Sequence, residues 1–193
     1  MKKIILILIC LILSAKFVIA EENLVETATA LYNCNKIDLA LDTFLKIPEK
    51  ERSADDWLLI GNILMDKNKR SDAVFMYQRA ILITPNYYKP YYNLGVLYLE
   101  DERFYMAIDN FKKAIRYNPE FAYAHYNLGC AYLKAGEVKK ARSEFNKAIE
   151  LKNNEPDFHY NLAYVYKKLN KQKMAETYLK NYNDLIKNNL NSN

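Results

Sequence analysis

Residues Tyr88 to Phe121 read YKPYYNLGVLYLEDERFYMAIDNFKKAIRYNPEF, and everything after residue 20 copies this stretch more or less faithfully at a spacing of 34. Within it Tyr91, Leu94, Gly95 and Tyr98 share one face of a first helix, predicted around Pro90 to Glu100. Ala107, Phe111 and Ala114 share one face of a second, predicted around Phe104 to Tyr117 and stopped before Pro119. A pair of helices this short cannot bury its apolar face alone, so it is stable only when stacked on its neighbours. Counting outward with this ruler places copies at 21–53, 54–87, 88–121, 122–155 and 156–189.

One column tests the alignment. Ala40, Ala73, Ala107, Ala141 and Ala175 recur at spacings of 33, 34, 34 and 34, and one helical turn later come Phe44, Tyr77, Phe111, Phe145 and Leu179. In the first helices the small residues Ala28, Gly61, Gly95, Gly129 and Ala163 share another column. Glycine inside a helix costs about 1 kcal/mol relative to alanine, so three at one column predict close helix approach. Asn35, Asn68, Gly136 and Asn170 mark the turn within each pair with residues that tolerate the left-handed conformation, and Glu102 is the exception. The ends depart from the pattern. Pro48 is expected to shorten the second helix of the first copy, and Leu24 replaces its aromatic residue. Tyr182 stands where inner copies have Ala80, Ala114 and Ala148, so the Lys- and Asn-rich last helix reads as a solvated cap, followed by a disordered tail at 190–193.

The order aromatic, Leu-Gly, Tyr, Ala, Phe, Pro resembles the tetratricopeptide repeat. The resemblance implies an all-α fold, a right-handed α-solenoid of about five helix-turn-helix repeats whose first helices line a concave groove. It also implies a non-catalytic role in binding proteins, and the members most resembled are small exported bacterial ones. On that pattern Asn93, Asn127 and Asn161 of the recurring Tyr-Asn-Leu motif face the groove in register, beside Tyr92, Tyr126 and Tyr160. An amide offers a donor and an acceptor, so it can pair with a peptide group without reading side chains. Helices pack about 8 to 10 Å apart and an extended chain advances about 3.3 Å per residue, so each rung would meet about every third residue. The other reading is architectural: each asparagine satisfies a neighbouring side chain. The Lys- and Arg-based carboxylate clamp of cytosolic co-chaperones in this family is missing, its sites being Leu58, Tyr92, Tyr123 and Tyr126.

Residues 1–20 stand apart. A basic MKK start, the apolar run Ile4 to Ala15 and small residues before Glu21-Glu22 form the layout of a secretory signal peptide. An exported protein, periplasmic or secreted, is expected, and one anchored to a membrane if the segment is retained. The short signal and the heavy use of Lys, Asn, Ile and Tyr point to a bacterial source. Without this segment the chain has 25 basic and 23 acidic side chains, so a nucleic-acid surface is not implied. Charge is nonetheless uneven, −3 for residues 21–53 and +3 for residues 156–193. Cys34 and Cys130 lie in the first and fourth copies, too far apart to bridge, so two free thiols are expected.

No constellation for catalysis is found. His125 and His159 sit 34 apart in the column of Trp57 and Tyr91, which reads as packing between helices, and no phosphate loop or zinc spacing occurs. The expectation is a scaffold or assembly factor, with no enzyme activity, metal or cofactor, that holds extended peptide segments of protein partners in its groove. The alternative is a structural adaptor in an envelope complex, working through its convex face and end caps. Self-association is open as well, because an exposed terminal repeat can stack on a second copy.

Overall fold

The computed structural model describes residues 24–191, so the expected signal peptide and the last residues of the expected tail lie outside the described residues. Among these the regular structure is helical: α1 (24–33), α2 (Ile37–Leu45), α3 (Ala54–Asp66), α4 (Arg70–Ile83), α5 (Tyr88–Glu100), α6 (Phe104–Tyr117), α7 (Ala122–Lys134), α8 (Val138–Leu151), α9 (Pro156–Lys168) and α10 (Gln172–Asn191). They form two compact units that divide after Pro85, α1–α4 in the first and α5–α10 in the second.

In the first unit α2 ends at Leu45 and a 3-10 turn, Glu49–Glu51, follows Pro48. The early stop leaves helix carbonyls without partners. Arg52 supplies them: its Nε donates to the Ile47 carbonyl at 3.0 Å and its guanidinium to the Leu45 carbonyl at 3.4 Å. The guanidiniums of Arg52 and Arg79 lie 4.8 and 4.9 Å from the Trp57 ring, where the quadrupole attracts cations. Ser53 and Asp56 then open α3 with a reciprocal capping box. Helix α1 is tied to α3 by the Tyr32 hydroxyl, which donates to Asp66 Oδ2 at 2.7 Å.

That bond makes the first unit sensitive to alkali. Burial and Asp66 push the Tyr32 hydroxyl up to about 12, whereas an unfolded tyrosine loses its proton near 10. The folded state therefore binds the proton more tightly. Its contribution is complete below about pH 10 and is lost as pH rises toward 12. Absorbance at 295 nm should show this tyrosine ionising together with loss of α1 helicity, and Tyr32→Phe should remove that step.

Close packing inside each pair follows from the glycine column. A Cβ at Gly61 would lie 2.5 Å from the Tyr77 ring, at Gly95 2.6 Å from Phe111 and at Gly129 2.7 Å from Phe145. The Phe111 and Phe145 rings are fully buried, as are Ala107, Ala114, Ala141 and Ala148 in the facing columns. Small residues thus let the second helix press an aromatic ring directly against the first helix's backbone.

Two sequence expectations are corrected here. Glu102 is no exception at the turn: its φ is +58°, matching Asn35, Asn68 and Asn170 at +56° to +57°, because the geometry of the pair fixes the turn whatever residue occupies it. A left-handed non-glycine residue costs about 1 to 2 kcal/mol and glycine's extra entropy about 0.5 to 1 kcal/mol. Glu102→Gly should therefore stabilise the second unit by about 0.5 to 1 kcal/mol in urea unfolding. Helix α10 also continues through residues 190 and 191, which the sequence reading put in a disordered tail, since no proline or glycine interrupts it after Gln172.

Candidate functional site

The first helices of the second unit, α5, α7 and α9, carry the Tyr-Asn-Leu motifs, and the structure brings these together as rungs. Asn127 Nδ2 on α7 donates to the Tyr92 hydroxyl on α5 at 2.9 Å, and Asn161 Nδ2 on α9 donates to the Tyr126 hydroxyl on α7 at 2.6 Å. Asn161 also donates to the Asp157 carbonyl at 3.2 Å. At least one amide hydrogen of each is therefore spent between repeats, as the architectural reading has it. The amide oxygens of Asn127 and Asn161 accept no hydrogen bond among the described residues, so each keeps an acceptor toward a peptide N–H. Both asparagines are half-buried.

Aromatic rings hold the tyrosines. Tyr92 packs at 5.9 Å on Phe111 from its own pair and at 4.9 Å, edge to face, on Phe121 ahead of the next. Tyr126 repeats this with Phe145 at 5.6 Å and Phe158 stacked at 4.6 Å. Burial pushes both hydroxyls up from the ordinary tyrosine range, against the Asn127 and Asn161 amides, which favour the charged form. The result is two half-buried tyrosines fixed in place. Tyr160 differs: it is 49% exposed and packs on Tyr182 at 5.3 Å. Asn93 is half-buried on α5.

Sequence reasoning missed two parts of this surface. Phe158 stands in a column that holds Asp56, Pro90 and Ala124 in the preceding copies, so nothing in the repeat pattern marks it. Tyr123, noted only as an absent clamp residue, donates to Glu155 Oε1 at 2.7 Å and accepts from Lys152 Nζ at 2.8 Å, while Lys152 and Glu155 pair at 2.5 Å. Lys152 and the Tyr123 hydroxyl hold the Glu155 carboxyl below its usual range. The cluster pins the turn between α8 and α9 to α7.

The histidines are engaged in structure. His125 Nδ1 lies 2.8 Å from Glu144 Oε2 and its Nε2 3.0 Å from the Pro119 carbonyl oxygen. His159 Nε2 lies 2.8 Å from the Asn153 carbonyl oxygen, in the same column as that of Pro119. Each ring ties the start of a first helix to the turn before it. Among the described residues the cysteines are free thiols, Cys34 exposed and Cys130 partly covered. Burial pushes the Cys130 thiol up to about 11, and the thiolate is the reactive form. At pH 8 a thiol reagent should therefore label Cys34 quickly and Cys130 slowly, with Cys34→Ser removing the fast phase.

Profiles of the tetratricopeptide repeat match residues 92–156 and 156–189, and a TPR repeat profile matches 61–101. No curated protein matches the sequence. Solved structures of MamA share the fold. The MamA RS-1 ArsTM double mutant has a TM-score of 0.79 at 18% identity, covering 87% of this chain and 95% of its own. A crystal structure of MamA has a TM-score of 0.78 at 22% identity over 85% of this chain and 96% of its own. MamA 41-end from Desulfovibrio magneticus RS-1 has a TM-score of 0.78 at 18% identity, with 86% and 95% covered. Helix pairs, glycine and alanine columns, left-handed turns and these matches agree on an all-α solenoid of repeats that serves protein–protein interaction, and the chain belongs to the tetratricopeptide repeat family.

Proposed function

We propose that this protein is an exported scaffold whose first-helix face in the second unit binds extended segments of partner proteins. The observation that carries this reading is the pair of Tyr–Asn rungs, Tyr92–Asn127 and Tyr126–Asn161, which present half-buried tyrosines and open amide acceptors at a regular spacing. Tyrosine at such a place offers large amphipathic contact area at low entropic cost, and it is enriched at interfaces. The test is binding to an array of fifteen-residue peptides, comparing the wild type with Asn93→Ala, Asn127→Ala and Asn161→Ala combined. Loss of most binding at unchanged helix content is expected; an unchanged array profile counts against the face. Export is tested by fusing residues 1–20 to a reporter that is active only outside the cytoplasm. Membrane attachment belongs to this reading only if that segment is retained, and no helix among the described residues is long and apolar enough to cross a membrane.

A second reading, an adaptor working through its second-helix faces, has its own observation. On α4 the outward residues Phe75 and Leu82 are 53% and 75% exposed, at columns that hold Asp109 and Arg116, then Ser143 and Glu150, in the following copies. Charge at Phe75 and Leu82 (Phe75→Asp with Leu82→Arg) should abolish assembly with partners under this reading and leave peptide binding untouched under the first.

A further inference from the structure

Between α9 and α10 the second unit holds a cavity of about 200 Å³, bounded by Tyr160, Ala163 and Tyr164 on one helix and Ala175 and Leu179 on the other, with Lys167 and Gln172 also lining it. Its origin lies in the repeat columns. Leu179 stands where Phe111 and Phe145 lay a ring on glycine, and it is 39% exposed whereas those rings are fully buried. Among the described residues no helix lies over this surface. The large side chain of Tyr182, packed on Tyr160 at 5.3 Å, takes the place of the buried alanines Ala114 and Ala148. Where the third pair packs on the second, Ala148 joins Ala122 and Phe158 in one core cluster, with Tyr126 packed against it. Tyr182 thus occupies the seat of a further first helix, and the cavity lies beside it, on the other side of Tyr160.

We propose that this socket takes one aromatic side chain from a partner polypeptide, with a carboxylate beside that side chain held by Lys167. The proposal rests on the reading that the first-helix face binds extended chains, and it places one end of such a chain on α9. Size supports the ring: a cavity of about 150 Å³ suffices for benzene in an apolar protein interior. The walls suit it, with two tyrosine rings set beside alanine and leucine side chains. Charge specifies the neighbour. Lys167 is exposed and has no ion-pair partner among the described residues, and Lys168 Nζ sits 5.1 Å over the Tyr164 ring. Glu176 on α10 is already engaged by Gln172, whose Nε2 donates to it at 2.9 Å. Residues 156–193 as a whole carry a formal charge of +3, so an acidic segment is drawn to this end.

The carboxylate can come from an Asp or Glu side chain or from the end of a chain, and short probes separate the two. The full chain is titrated with Ac-Asp-Phe-amide, Ac-Ala-Phe-OH, Ac-Ala-Phe-amide and Ac-Asp-Ala-amide, following tyrosine fluorescence. At least one of the first two should bind at least ten-fold more tightly than either of the others, and the tighter of them names the source. Lys167→Gln, an exposed change that leaves the fold alone, should erase the preference for the carboxylate. Ala163→Gly combined with Leu179→Phe, which together restore the glycine and ring of the inner repeats, should weaken binding at least ten-fold with an unchanged circular dichroism spectrum. Equal affinity for all four probes, no binding at millimolar concentration, or a preference indifferent to Lys167→Gln would overturn the proposal. Dipeptides are too short to reach the rungs at Tyr92 and Tyr126, so failure here leaves the first-helix reading standing.

Discussion

Replacing Gly95 with leucine is expected to destabilise the second unit by about 3 kcal/mol or more, at the upper end of what overpacking costs. The first added atom alone would lie 2.6 Å from both Cδ1 and Cε1 of Phe111, a ring with no exposed surface and walled by the alanine column. Nothing nearby can yield cheaply, so α5 and α6 must separate. Gly95→Ala is the more exacting case, because alanine should gain about 1 kcal/mol of helix propensity; the account requires a net loss even so. The last repeat supplies the rescue: there Ala163 faces Leu179 in the same two columns. Gly95→Ala with Phe111→Leu should therefore lose less than the two single changes added together. Urea unfolding followed by circular dichroism measures the wild type and all four variants, and a Gly95→Ala variant more stable than the wild type would refute close packing as the reason for the column.

Phe158→Ala should cost about 3 to 5 kcal/mol, as large-to-small changes of a buried phenylalanine do. The ring is 1% exposed, stacks on Tyr126 at 4.6 Å and meets Tyr123 edge to face at 5.6 Å, and it clusters with Ala122 and Ala148. It is the aromatic anchor between the second and third pairs of this unit. Its loss should free α9 and α10 before the rest unfolds, visible as faster amide exchange in those two helices and as release of the Tyr126–Asn161 rung. Asn161→Ala removes that rung alone and should cost only about 1 kcal/mol. If the two variants were equally stable, the rung rather than the ring would be what couples the repeats.

The repeat columns explain why so much of the fold was legible. Glycine, alanine and aromatic residues at a fixed period state which surfaces meet, since each column answers the same packing problem in every copy, and Gly95 against Phe111 reads directly from that rule. Glu102 misled because identity was taken for conformation: the turn imposes a positive φ that the residue merely endures. Phe158 and Arg52 escaped notice for the opposite reason. Each solves a problem posed in only one copy, a ring filling one gap and a guanidinium capping one shortened helix, and a periodic pattern cannot announce a singular residue. The site was half visible. The Tyr-Asn-Leu spacing placed the side chains on one face, but only coordinates show that each asparagine spends an amide hydrogen on the tyrosine of the preceding repeat.

The central claim, that partners bind along the first-helix face of the second unit, is tested most directly by photocrosslinking. A benzophenone amino acid at Val96 or Leu133, both half-buried on that face, is compared with the same group at Tyr105, 72% exposed on α6, in extracts of the source cells. The account predicts one set of partners crosslinked from Val96 and Leu133 and absent from Tyr105, each joined through an extended segment. Partners crosslinked from Tyr105 alone would contradict it and move recognition to the second-helix faces.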